Sequence, residues 1–104
     1  MSYTLGYRED GPDTYVIAVG GELDLGAAPA LQGTIDHLIE DGATTLVIDL
    51  SDARFIDSTS VGILIGTLNR LKATGGTLEV VCTEPNLLRV FEIVGLDRQL
   101  PIRA

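Results

Sequence analysis

The stretch Leu46-Val47-Ile48-Asp49-Leu50-Ser51-Asp52-Ala53-Arg54-Phe55-Ile56-Asp57-Ser58-Thr59-Ser60-Val61-Gly62 decides how this chain is read. Leu46 to Leu50 is a short aliphatic run between Thr45 and Ser51, and β-branched Val47 and Ile48 favour a strand central in a sheet. From Val61 the apolar positions change period: Leu64, Ile65, Leu68 and Leu71 fall on one face of a helix that ends near Gly75 and Gly76. A helix therefore starts at Asp57 followed by three consecutive hydroxyl residues. Asp and Ser are favoured N-caps, and one of them suffices to cap a helix. The remaining hydroxyls cost some helix propensity, so capping explains the cluster only in part. A phosphate added there would bring about −1.5 to −2 charges to free helix N–H groups. Ser58, Thr59 and Ser60 are thus candidate phosphoacceptors as well as capping residues.

The same alternation of periods extends in both directions. Tyr3, Leu5 and Tyr7, then Tyr15, Ile17 and Val19, alternate with other residues on either side of the turn signal Asp10-Gly11-Pro12-Asp13, which predicts a β-hairpin. Gly20 and Gly21 end its second strand, and Glu22 to Gly26 form an acidic passage. Pro29 fits the first turn of a helix with apolar Leu31, Ile35, Leu38 and Ile39, closed by Gly42. Leu78, Val80 and Cys82 mark a further strand, and Pro85 opens a last helix through Leu88, Phe91 and Val94, closed by Gly95. A short strand near Leu100 to Ile102 would be an edge, because Pro101 cannot donate to a ladder. The expected fold is α/β: a mixed sheet of four or five strands with helices packed against it.

Size and charge bound the function. A chain of 104 residues, 45% apolar, makes one domain spanning residues 1–104. Seven basic against fifteen acidic residues give a net charge of −8, which repels nucleic-acid phosphates and anionic lipid. Direct binding of nucleic acid or membrane is not expected. No segment has the length of a membrane span, and Met1 to Arg8 lacks the pattern of a signal peptide, so the expected address is the cytoplasm. Cys82 stands alone and is expected to be buried as a small hydrophobe.

Enzyme chemistry finds little support. His37, the single histidine, belongs to the polar side of the first helix, and the sequence has no Gly-x-Ser-x-Gly elbow and no paired histidines or cysteines at zinc spacing. Gly20-Gly21 and Gly75-Gly76 belong to no phosphate-binding fingerprint and read as turn and capping glycines, so a nucleotide or small-ligand sensor has no dedicated motif here. Gly62 and Gly66, four apart in the second helix, suit close packing against the sheet or against a partner, and packing in the core is the expectation. Glu22 and Asp24 suit capping of the first helix, or a polar contact surface on a loop.

Taken together, Gly21-Glu22-Leu23-Asp24, the run from Val47 to Leu50 through Phe55 to Gly62, and Gly75-Gly76 with Leu88 to Phe91, Gly95 and Leu96 resemble a STAS domain of the free-standing bacterial anti-sigma factor antagonist type. That resemblance covers nearly the whole chain. It implies that Ser58, directly after the motif aspartate, is the regulated phosphoacceptor. It also implies a contact surface made of Asp24 and Leu25 with Asp57, Ser58, Thr59, Ser60 and Val61. The implied partners are an anti-sigma factor that is also a serine kinase of the histidine-kinase-like ATPase fold, and a serine phosphatase that reverses its action. ATP and magnesium serve the kinase, so this chain is expected to be no enzyme and to need no cofactor or metal. Unphosphorylated, it would bind the anti-sigma factor and free a sigma factor; phosphorylated, it would let go. A STAS subunit docking on a transport or lipid-trafficking ATPase, without phosphorylation, is the alternative. The chain departs from the family pattern at Ser60, where glycine is usual, and at Ala104, short of a further C-terminal helix. The first departure leaves Thr59 and Ser60 as competing acceptors, and the second is expected to expose some sheet or helix surface.

Overall fold

A computed structural model describes residues 2–104. Strand β1 (Tyr3–Glu9) returns antiparallel as β2 (Thr14–Leu23) through a turn in which Gly11 and Asp13 take positive φ. Beyond it come α1 (Ala28–Glu40), β3 (Thr45–Asp49), β4 (Ala53–Ile56), α2 (Ser58–Ala73), β5 (Thr77–Val81), α3 (Pro85–Val94) and β6 (Ile102–Arg103), with a single 3-10 turn at Leu96–Arg98. The strands make one mixed sheet in the order β1-β2-β3-β5-β6, and β4 pairs with the far end of β2.

This is the expected α/β class with more strands than expected: six, not four or five. The additional strand is β4, whose burial runs inside, outside, outside, inside and so shows no alternation to read. It is set off from β3 by a tight turn in which the Asp49 carboxylate accepts from both the N–H and the hydroxyl of Ser51, at 3.0 and 2.6 Å. Gly20 and Gly21 do not end β2. The strand passes through them to Leu23 with a bulge, where Gly21 adopts φ +80 and any Cβ would lie 2.5 Å from the Ser2 carbonyl. The final strand begins at Ile102, after Pro101 rather than through it, because β6 borrows the Pro101 carbonyl to accept from Val80 and needs nothing from its nitrogen.

Period-two alternation selects one face of the sheet for the core. Ile17, Val19, Leu46, Ile48, Leu78, Val80 and Cys82 point to that face and meet Leu31, Ile35 and Leu38 of α1, Leu64, Leu68 and Leu71 of α2, and Leu87 and Phe91 of α3. Side chains of all three helices share this one core. The other face carries Arg8, Val16, Val47 and Glu79 in register across four strands. Between α1 and α2, Arg70 pairs with Asp36, whose carboxyl is held below its usual range by hydrogen bonds from Arg70 and Gln32.

In α3 the buried positions are Leu87 and Phe91, an i, i+4 pair facing the sheet, whereas Leu88 and Val94 are exposed. Gly62 and Gly66 do not pack against the core. Both are exposed, and an added Cβ at either would have no neighbour within 4 Å.

Candidate functional site

The start of α2 is built by Asp57. Its backbone is extended (φ −101, ψ 175), and its Oδ1 accepts the N–H of Ser60 at 2.9 Å, so Asp57 is the N-cap. Ser58 and Thr59 follow as the first two helical residues, both exposed. Helix N–H groups in this first turn lack intrahelical partners, and the dipole there favours negative charge. Each residue turns the helix by about 100°, so Ser58, Gly62 and Gly66 rise along one exposed face. These glycines are not packed in the core; they leave bare backbone on the helix face that carries Ser58.

Ser60 and Val61 belong elsewhere. Ser60 is fully buried and Val61 is 5% exposed. Neither can offer its side chain to a docking protein or a kinase from this position, which corrects their inclusion in the contact surface and removes Ser60 as a competing acceptor. The geometry of the helix is the reason: two residues on from Ser58, the side chain has swung round to face the sheet.

The acidic loop also has a clear architecture. Asp24 Oδ1 accepts from the N–H groups of Gly26 (2.9 Å) and Ala27 (3.2 Å), while its carbonyl accepts from Ala27 and Ala28. Asp24 thereby closes the turn that leads into α1. Leu25 sits at the tip of that turn, 70% exposed. Beneath it the Leu23 carbonyl accepts two hydrogen bonds from the other segment, from Asp57 N–H and from Ser60 Oγ, each at 3.1 Å. The structure thus joins the Asp24–Leu25 turn and the Asp57–Thr59 turn at one atom. No side-chain signal marks that atom, since it is main chain.

His37 lies on the exposed side of α1, 3.8 Å from Asp41 and edge-on to the Tyr7 ring. Among the described residues, no group of three or more His, Cys, Asp or Glu side chains is arranged to hold a metal ion. No helix of the described residues is long and apolar enough to cross a membrane.

Comparison with known proteins bears on the family and the fold. Residues 8–104 match the family model described as STAS domain. The anti-sigma-B factor antagonist of Bacillus subtilis (strain 168) is 36% identical over 88 residues, covering 85% of this chain and 80% of that protein. Among solved structures, an anti-sigma factor antagonist from Mycobacterium paratuberculosis superimposes with a TM-score of 0.87 at 35% identity, over 98% of this chain and 86% of the other. The anti-sigma factor antagonist SpoIIAA matches in its unphosphorylated form with a TM-score of 0.85 and in its phosphorylated form with 0.79, both at 27% identity over 97% of this chain and 89% and 92% of the SpoIIAA chains.

Proposed function

This chain belongs to the STAS domain family, and on that premise we propose that it is an anti-sigma factor antagonist switched by phosphorylation of Ser58. Unphosphorylated, it binds an anti-sigma factor and so releases a sigma factor. The anti-sigma factor is also a serine kinase of the histidine-kinase-like ATPase fold, and with ATP and magnesium it phosphorylates Ser58 and ends its own capture. A serine phosphatase restores the binding form. The cycle runs in the cytoplasm, and its chemistry is performed by the partners, with this chain as their substrate.

The observation that carries this reading is the placement of Ser58. It is exposed at the first position of a capped helix, beside the Asp57 carboxylate, and Leu25 projects from the turn joined to it. That neighbourhood suits a docking surface with Asp24, Leu25, Asp57, Ser58 and Thr59 as its contact residues. A dianionic phosphate at its centre must be desolvated or accommodated when a partner docks, next to an existing negative charge. A penalty of about 3 kcal/mol weakens binding more than a hundredfold, which reverses occupancy without refolding the domain. SpoIIAA, solved in both states, keeps matching this fold in either one, as a local charge switch requires.

The test is intact-mass and peptide analysis after incubation with ATP, magnesium and the anti-sigma factor kinases of the same genome. A single phosphate on Ser58 is the expected product. Ser58→Ala should stay folded, bind the anti-sigma factor and resist being switched off, while the genuinely phosphorylated protein should bind at least a hundredfold more weakly. Modification confined to Thr59, or unchanged binding after phosphorylation of Ser58, would overturn the assignment. So would co-purification with a membrane transport ATPase in place of a soluble kinase.

A further inference from the structure

Ser60 is two residues from the proposed acceptor and hidden from solvent. As the third residue of α2 it has no carbonyl of its own helix three or four residues back, where Thr67 bonds to Ile63. Its hydroxyl donates to the carbonyl of Leu23, 37 residues earlier in the chain, at 3.1 Å. Leu23 is the last residue of β2, and Asp24 and Leu25 follow it directly. With its N–H held by Asp57 Oδ1, Ser60 is clamped at both ends.

That second tether is not needed to satisfy the carbonyl. Asp57 N–H already donates to Leu23 O at 3.1 Å, so a chain without the Ser60 hydroxyl would leave no buried acceptor unpaired. The β2–β4 pairing holds Leu23 in the sheet, and Asp24 closes its own turn onto Gly26 and Ala27. The Ser60 hydroxyl adds a side-chain tether, from inside the core, between the base of that turn and the start of α2.

We infer that Ser60 is a positioning residue that locks the Leu25 turn to the Ser58 turn, so that an anti-sigma factor kinase meets an apolar knob and a phosphoacceptor hydroxyl at one fixed separation. This rests on the proposed docking surface and adds the device that preorganises it. The partner it fits carries an apolar socket for Leu25 beside the site that receives Ser58. When the hydroxyl is removed, only the fraction of molecules with both turns aligned is competent to dock, and apparent affinity falls by that fraction. Once docked, Ser58 is presented as before, so the phosphoryl-transfer step is unaffected.

The experiment uses the full chain with Ser60→Ala, Leu25→Ala and both together, and two readouts. In the free protein, hydrogen exchange of the Gly26 and Ala27 amides should accelerate at least fivefold in Ser60→Ala, while amides of β3 and β5 keep their wild-type rates. With the cognate anti-sigma factor kinase, Ser60→Ala should raise KM for phosphorylation of Ser58 about five- to tenfold and leave kcat within twofold. In Leu25→Ala the added effect of Ser60→Ala should largely vanish, since the hydroxyl acts through that turn. Unchanged exchange at Gly26 and Ala27 overturns the inference, as does a fall in kcat at constant KM or strict additivity of the two substitutions. If no kinase phosphorylates the wild-type chain, the function proposed above fails, and the exchange measurement still decides whether Ser60 locks the two turns. If Ser60→Ala melts cooperatively at a much lower temperature, Ser60→Gly, which removes the hydroxyl without leaving a Cβ to repack, gives the same exchange comparison.

Discussion

Ser58 and Asp57 are neighbours with separable roles. The carboxylate of Asp57 holds the N–H of Ser60 and starts the helix, and the serine beside it is left free at the surface. Loss of such a cap costs about 1 kcal/mol, which for a domain of this size lowers the melting temperature by about 4–8 °C. Asp57→Ala should show that fall in a thermal denaturation scan. Asp57→Asn keeps the capping acceptor and should melt within a degree or two of wild type. The asparagine variant also removes the charge next to the phosphate, so the affinity loss on phosphorylation of Ser58 should shrink, as measured by titration calorimetry with the anti-sigma factor. The aspartate and the run of hydroxyls were legible from residue types alone. Which hydroxyls reach solvent was not, because Ser58, Thr59 and Ser60 are chemically near-equivalent and differ only in where a 100° step points them.

Helix α2 presents the clearest departure from the expected packing. Glycine inside a helix costs about 0.5–1 kcal/mol relative to alanine, and at Gly62 and Gly66 no close approach by another element offsets it. Gly62→Ala and Gly66→Ala should therefore each stabilise the free protein by about 0.5–1 kcal/mol in urea unfolding. If a partner lies along this face, the same substitutions put methyl groups into its path and should weaken anti-sigma factor binding while raising stability. Opposite signs in the two measurements are the expected result, and destabilisation by either alanine would contradict an open face. Gly76 makes the contrast, since any Cβ there would collide with the Thr44 carbonyl. Gly62 and Gly66 on the one hand and Gly76 on the other thus have different causes, and only the neighbours supplied by the fold show which glycine is crowded. The buried face of α3 was not legible for a related reason: with Leu87, Leu88, Val90, Phe91, Ile93 and Val94 all apolar, more than one face satisfies a helical period.

For the molecule as a whole, the core gathers one face of the sheet and the inner faces of all three helices, and Cys82 is part of it at 2% exposure. Burial pushes its thiol above the ordinary cysteine range, so the reactive thiolate is scarce as well as inaccessible. Its alkylation by iodoacetamide at pH 8 should follow global unfolding: negligible in native buffer, rising with urea along the same transition as circular dichroism. Rapid labelling of the native protein would mean that the β5 end of the core opens locally. Apolar spacing, turn residues and charge were enough to predict the α/β class, the order of the long elements and a single core, because each of those follows from local periodicity and from how much surface the chain must bury. The sequence also supplied the hydroxyl cluster and its aspartate. Tertiary structure alone decided that β2 runs through its two glycines to pair with β4, that Ser60 and Val61 are buried while Ser58 and Thr59 are not, and that the Leu25 turn is bound to the start of α2. Those outcomes depend on which groups meet across dozens of residues, above all at the Leu23 carbonyl, and a main-chain oxygen that every residue carries leaves no mark in the order of side chains.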